Sequence, residues 1–220
     1  MSRSVNYRLM ALSGVVLLLL AFEGCKPKPK EIPQADPRFI PYIASYTSGI
    51  VSSASTIKIR LTEPSPSFAG ENTPAAEPLF EFTPEITGQA FWIDRQTVEF
   101  RPSAPMVQKQ VYAASFHLGK VREVESAFRE FRFGFRIMPQ SFEVIPEGLL
   151  IENTAHPDQY TYVGSLVTLD VLPAEQPAGI LTASCKGNNL DVSWTSEVGG
   201  HTHNFRISGI TRGDNAGTLE

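Results

Sequence analysis

Residues 84–102, PEITGQAFWIDRQTVEFRP, gather Trp92, Asp94, Arg95 and Glu99 into one short stretch, with Glu85 just ahead of them. Two carboxylates near an aromatic ring and a guanidinium are the parts of a general acid–base pair. That chemistry needs both groups aimed at one cleft, one of them shielded from water. The spacing predicts something else. QAFWID alternates as a strand, with Ala90 and Trp92 on one side and Phe91 and Ile93 on the other. Asp94, Arg95 and Gln96 form a tight polar turn, and TVEFRP returns. An aspartate that opens a turn bonds the backbone two residues ahead, which is reason enough for its presence. Glu99 falls opposite Val98 and Phe100, on a strand face expected to be wet. The stretch is therefore expected to be scaffold, with Trp92 as a packing anchor.

The other reactive residue types resolve in the same way. His201 and His203 have the i, i+2 spacing of strand-borne metal ligands, but His117 and His156 are remote in sequence, so no metal site is expected. Cys185, in LTASCKG, is the one cysteine of the folded body. It permits no disulfide there and reads as a small buried apolar residue. Arg212-Gly213-Asp214 spells the tripeptide that integrins read, a match short enough to arise by chance in a glycine turn. GxSxG, HExxH, CxxC and a phosphate-binding glycine loop are all missing. No catalytic residue and no cofactor are expected, and the chain is read as not an enzyme.

The elements that carry these residues are strands. TIKIRLTE sets Ile57, Ile59 and Leu61 against Lys58, Arg60 and Thr62; REFRFGFRIMP sets Phe131, Phe133, Phe135 and Ile137 against Arg132 and Arg136. This period of two marks strands with one face on a core and the other in water. Turn chemistry separates them at short intervals (TSG, EPSPS, FAGEN, TPEITG, RPSAP), as in an antiparallel sandwich. A second strand series runs through SFEVIPEGLLIE, YTYVGSLVTLDVLP, ILTASCKGN, LDVSWTSE and HNFRISGITR. There Val192 and Trp194 oppose Asp191 and Ser193, and helical content is limited to a turn or two near LPAEQPAGILTA.

The chain has 220 residues, 42% of them hydrophobic, 17 prolines and a net charge of -4. That is a globular balance, and its basic residues form no stripe, so nucleic acid is not expected as a partner. The N-terminus stands apart. Arg3 and Arg8 precede the short apolar run ALSGVVLLLLAF, and Gly24-Cys25 follows. This is the layout of a secretory signal that ends at a lipidated cysteine. Phe22 and Glu23 depart from the usual residues before such a cysteine. The alternating lysines and prolines after Cys25 predict an extended, solvated tether.

Two stretches carry a family resemblance. The first is IASYTSGIVSSASTIKIRLTE, residues 43–63, followed by residues 78–121, where Pro84, Gly88, Trp92, Asp94, Thr97, Phe100, Pro102 and Tyr112 stand at the places of a P-x-x-x-G-x-x-x-W-x-D-x-x-T-x-x-F-x-P pattern and the strand that follows it. With the second series, YTYVGSLVTLDVLP to HNFRISGITR, this resembles the N-terminal region of bacterial alpha-2-macroglobulin-like lipoproteins. The resemblance implies an immunoglobulin-like module followed by a macroglobulin domain, in a protease-trapping protein of the cell envelope. The family's thioester run, Cys-Gly-Glu-Gln, is absent, Cys185 sits in Ser-Cys-Lys-Gly, and no bait region is recognisable.

The expected organisation is a signal peptide over 1–24, a lipid-anchored tether over 25–37, an immunoglobulin-like β-sandwich over 38–138 and a macroglobulin-like β-sandwich over 139–220. The chain reads as stopping inside or at the edge of the last. Membrane contact is expected through lipidated Cys25, on the periplasmic or outer-membrane side, and contact with proteases only through a longer protein. Trp92, Asp94, Phe100, Tyr112 and Trp194 are the expected structural residues. The alternative is a freestanding lipid-anchored module that binds glycan or a partner protein, with Phe68, Tyr160 and Tyr162 as the aromatics that would serve.

Overall fold

The computed structural model describes residues 30–173 and 177–212. The chain is all-β. Nine strands form the first module: β1 (Ile43–Tyr46), β2 (Gly49–Val51), β3 (Ile57–Leu61), β4 (Thr73–Pro74), β5 (Phe80–Thr83), β6 (Gly88–Trp92), β7 (Thr97–Pro102), β8 (Val111–Phe116) and β9 (Phe131–Ile137). They lie in two sheets, β1-β3-β7-β6-β4 and β2-β9-β8-β5. The alternation legible in the sequence is what closes them into a sandwich. Ile57, Ile59 and Leu61 of β3 and Val98 and Phe100 of β7 are buried, and Phe131, Phe133, Phe135 and Ile137 of β9 join the same core.

Aromatic rings fill most of that core. Phe100 sits 4.8 Å from Phe82 and 5.7 Å from Phe80, between ring centroids. Tyr112 stacks on Phe135 at 5.5 Å, and its hydroxyl accepts a hydrogen bond from the Val107 amide at 3.3 Å. Gly88 is where this packing tolerates no side chain: a Cβ there would stand 2.3 Å from the Arg101 carbonyl oxygen and 2.6 Å from the Phe100 ring. One helical turn, α1 (Leu118–Val121), follows β8 and buries Leu118 and Val121. Alternation gives no sign of so short an element.

The tether expected over 25–37 is in part docked. Pro33 covers β9 so closely that a Cβ on Gly134 would lie 2.4 Å from its Cδ. Ala35 packs against the core, and Asp36 caps the turn Pro37–Phe39 by accepting from the Arg38 amide at 2.9 Å. Phe39 then inserts between Phe128 and Phe131. The prolines that suggested a solvated spacer here hold the chain in an extended form that fits the sheet.

The second module contains β10 (Phe142–Leu150), β11 (Gln159–Thr168), β12 (Ala183–Cys185), β13 (Asn188–Ser196) and β14 (Thr202–Thr211). Among the described residues these form one antiparallel sheet, ordered β10-β11-β14-β13-β12. Its small core joins Ala183, Phe205 and Ile207 to Tyr162, Leu190, Val192 and Trp194. Lys186 and Gly187 turn β12 into β13 with φ of 51° and 80°, the two left-handed positions of a two-residue hairpin. Where helical turns were expected, near 172–183, the described residues show the single turn Pro177–Gly179. Among the described residues no helix is long and apolar enough to cross a membrane.

Candidate functional site

The opening stretch folds as its spacing predicts, with one exception. Trp92 is 2% exposed and meets Phe68 edge-on at 6.0 Å. Asp94 accepts from the Gln96 amide at 2.6 Å and the Thr97 hydroxyl at 2.8 Å, the turn-opening bonds expected of it. Partial burial pushes the Asp94 carboxyl up, and those hydrogen bonds outweigh it, leaving the group below the usual carboxylate range. Glu99 is the exception. It was expected in water and is only 7% exposed. As part of a central strand it lies between Lys58 on β3 and Phe91 on β6. Lys58 Nζ stands 2.9 Å away and Arg101 Nε 2.7 Å, while the Arg101 guanidinium lies 4.4 Å over the Phe91 ring. The stems of these long side chains roof the carboxylate. Burial raises its pKa, and the bonds from Arg101 and Lys58 overcome that, so Glu99 stays ionised. A carboxylate held in this way is a poor proton donor.

The remaining candidates are dispersed. His203 is fully buried, with Nδ1 2.7 Å from the Ser196 hydroxyl, whereas His201 Nδ1 stands 3.2 Å from the Thr168 carbonyl. His117 pairs with Glu81 at 3.1 Å. Among the described residues no three His, Cys, Asp or Glu side chains gather closely enough to hold a metal ion. Cys185 is half-buried on β12 and unpaired. Trp194 packs edge-on against Phe205 at 5.7 Å. Phe68 and Tyr162 pack against the two cores instead of forming an aromatic surface. Cys25, Gly213 and Asp214 lie outside the described residues.

The structure concentrates its buried polar chemistry elsewhere, at the joint between the modules. Asp170 follows β11 and is 0% exposed. Its carboxylate crosses to the turn after β2, 118 residues earlier, where it accepts from the Ser52 hydroxyl and, at 2.8 Å, from the Ser53 amide. It also accepts from the Val171 amide at 2.8 Å. Gln140, in the connection between modules, clamps the backbone of the same residue: its Oε1 accepts from the Asp170 amide at 2.8 Å and its Nε2 donates to the Asp170 carbonyl at 3.0 Å. The Gln140 amide donates in turn to Gln108 Oε1 at 3.3 Å. Burial pushes the Asp170 carboxyl up, and the bonds from Ser52 and Ser53 more than reverse it. This is a desolvated charge satisfied entirely by hydrogen-bond donors, an arrangement suited to fixing a geometry. Sequence reasoning missed it, because Asp170 and Ser52 carry no local signal that they meet.

No protein-family model matches the chain, and no curated protein matches it. Solved structures resemble it weakly. L,D-transpeptidase 3 from Mycobacterium tuberculosis with a faropenem-derived adduct aligns at 15% identity and a TM-score of 0.31, over 56% of this chain and 46% of that one. An L,D-transpeptidase from Mycobacterium smegmatis gives the same identity and score over 82% of this chain and 76% of its own. The chain thus spans about half the length of the first. Likenesses this slight carry no argument about what the chain does.

Proposed function

We propose that this chain is the non-catalytic, lipid-anchored base of a cell-envelope alpha-2-macroglobulin-like protease trap, a segment that lacks bait region and thioester itself. The observation that carries the reading is the use to which its charged side chains are put. Asp170 ties the second module to the Ser52–Ser53 turn of the first, and Asp94 and Glu99 are engaged in holding their own strands. Such an assembly transmits position between neighbouring domains. On this reading Cys25 is the lipidated residue, and proteases are met only by a longer protein.

A native product several times heavier than 24.2 kDa, in an immunoblot of fractionated membranes with an antibody against residues 38–138, is the expected result. A band near 24.2 kDa would overturn it in favour of a freestanding lipid-anchored binding module for glycan or a partner protein. One observation favours that second reading: the apolar residues of β10 lie open to solvent.

A further inference from the structure

The three sheets have six edges among the described residues, and five of them are short. β1 and β5 have four residues, β2 and β12 three, and β4 two. Short edges are how proteins keep unpaired backbone from recruiting other strands. β10 is different: it runs nine residues along the rim of the second sheet and is exposed along nearly its whole length. Phe142 is 60% exposed and Val144 47%. Ile145, Leu149 and Leu150 are exposed as well.

The backbone direction of this edge follows from its partner. The Leu169 amide donates to the Ser141 carbonyl, whereas the Thr168 amide turns the other way, to His201 on the β14 side. Antiparallel ladders alternate. The backbone groups of Phe142 and Val144 therefore face away from β11, into solvent. Pro146 shares that orientation, so its missing N–H costs the sheet nothing, but it ends the run of outward donors, and the register shifts between Pro146 and Gly148. What is left is a four-residue docking edge, residues 142–145, no longer than β1 or β5 but set apart from them by large apolar side chains that stand exposed. Side chains alternate across it, with Phe142 and Val144 on one face and Glu143 and Ile145 on the other. Glu143 has no ion pair among the described residues, while Glu147 accepts a hydrogen bond from Ser165 and Glu152 pairs with Arg206.

We infer that the free edge of β10 takes up an extended segment of a partner protein by strand addition, with apolar residues against Phe142 and Val144 and a lysine or arginine opposite Glu143. The open backbone supplies the affinity, and the alternating exposed side chains and the unneutralised carboxylate supply the choice of partner. Charge disfavours a second copy of this chain as occupant, since the apposed edges are both acidic.

The probes are two fluorescent-labelled peptides, one alternating valine and lysine, the other valine and glutamate, titrated against the full-length chain by anisotropy. The lysine peptide should bind saturably and at least about tenfold more tightly than the glutamate peptide, a charge-pair difference of about 1.4 kcal/mol. Val144→Pro removes one outward amide and no β10–β11 bond, so it should abolish binding while circular dichroism stays unchanged. Glu143→Lys, at an exposed position, should reverse the preference between the peptides. Equal binding of both peptides, or binding unaffected by Glu143→Lys, overturns the inference. So does a concentration-dependent dimer in sedimentation that Val144→Pro converts to monomer, because the edge would then serve a second copy.

Discussion

Asp170→Asn tests whether the joint holds the modules together. The variant keeps the shape of the side chain but replaces one carboxylate oxygen with an NH2 group. Placed toward the first module's backbone, that NH2 faces the Ser53 amide, donor against donor; placed on the other oxygen, it lets the Ser52 hydroxyl turn to accept but faces the Val171 amide instead. A hydrogen bond to a charged group contributes about 1.5–3 kcal/mol net, and a buried donor left without an acceptor costs a similar amount. About 2–3 kcal/mol is therefore expected. For a unit of this size each kcal/mol moves the melting temperature by roughly 2–4 °C, so calorimetry at neutral pH should show a fall of about 4–12 °C. The pH dependence has a definite sign. The folded Asp170 carboxyl lies below its ordinary value, so its stabilisation is complete above the unfolded carboxyl pKa, about 3.9, and is lost as pH falls through the folded one. The gap between wild type and variant should accordingly close in acid. A Ser52→Ala cycle with Asp170→Asn should give a coupling of about 0.5–3 kcal/mol. A melting temperature within about 1 °C of wild type, or a gap independent of pH, would refute the argument that this carboxylate is a structural clamp.

Gly88→Ala should destabilise the first sandwich by about 1–3 kcal/mol, read as a lower urea midpoint at unchanged slope, because its Cβ meets the Arg101 carbonyl and the Phe100 ring. Gly134→Ala should dislodge Pro33, so that amide exchange over residues 34–39 accelerates while the strands of the second module keep their protection. Glu99→Gln should cost about 1 kcal/mol, since Lys58 and Arg101 are themselves partly in water. The Glu99 carboxyl is also held below its ordinary value, so that loss should fade as pH drops through the folded pKa, followed by chemical denaturation across an acid series.

The strands and their buried faces were legible because alternation is a local property. Ile57, Ile59 and Leu61 needed only their own order in the chain to be assigned inward, and Asp94 only its place at a turn. Glu99 shows where that logic stops. A face polar by alternation is wet only if its neighbours leave it open, and the neighbours of Glu99 come from β3 and β6, some 40 and eight residues away in sequence. The joint was less legible still. Nothing near Asp170 distinguishes it from a turn aspartate until the topology brings Ser52 to it.

The same reasoning separates two uses of acidic residues in this chain. Asp94, Glu99 and Asp170 are each surrounded by donors and held ionised by them, so their charge is spent inside the fold. Glu143 stands on an exposed strand beside Phe142 and Val144 and has no ion pair among the described residues. An unpaired charge among exposed apolar residues contributes nothing to folding there that a neutral polar residue would not. Its effect is on what can approach the edge: it repels acidic strands and favours basic ones. The trap-base and binding-module readings thus make different demands on one residue. If the domains of a longer protein cover β10, Glu143→Lys should disturb the assembly of that protein and leave this segment's own melting temperature unchanged. If β10 is the working surface of a freestanding module, the same change should alter which partner is bound.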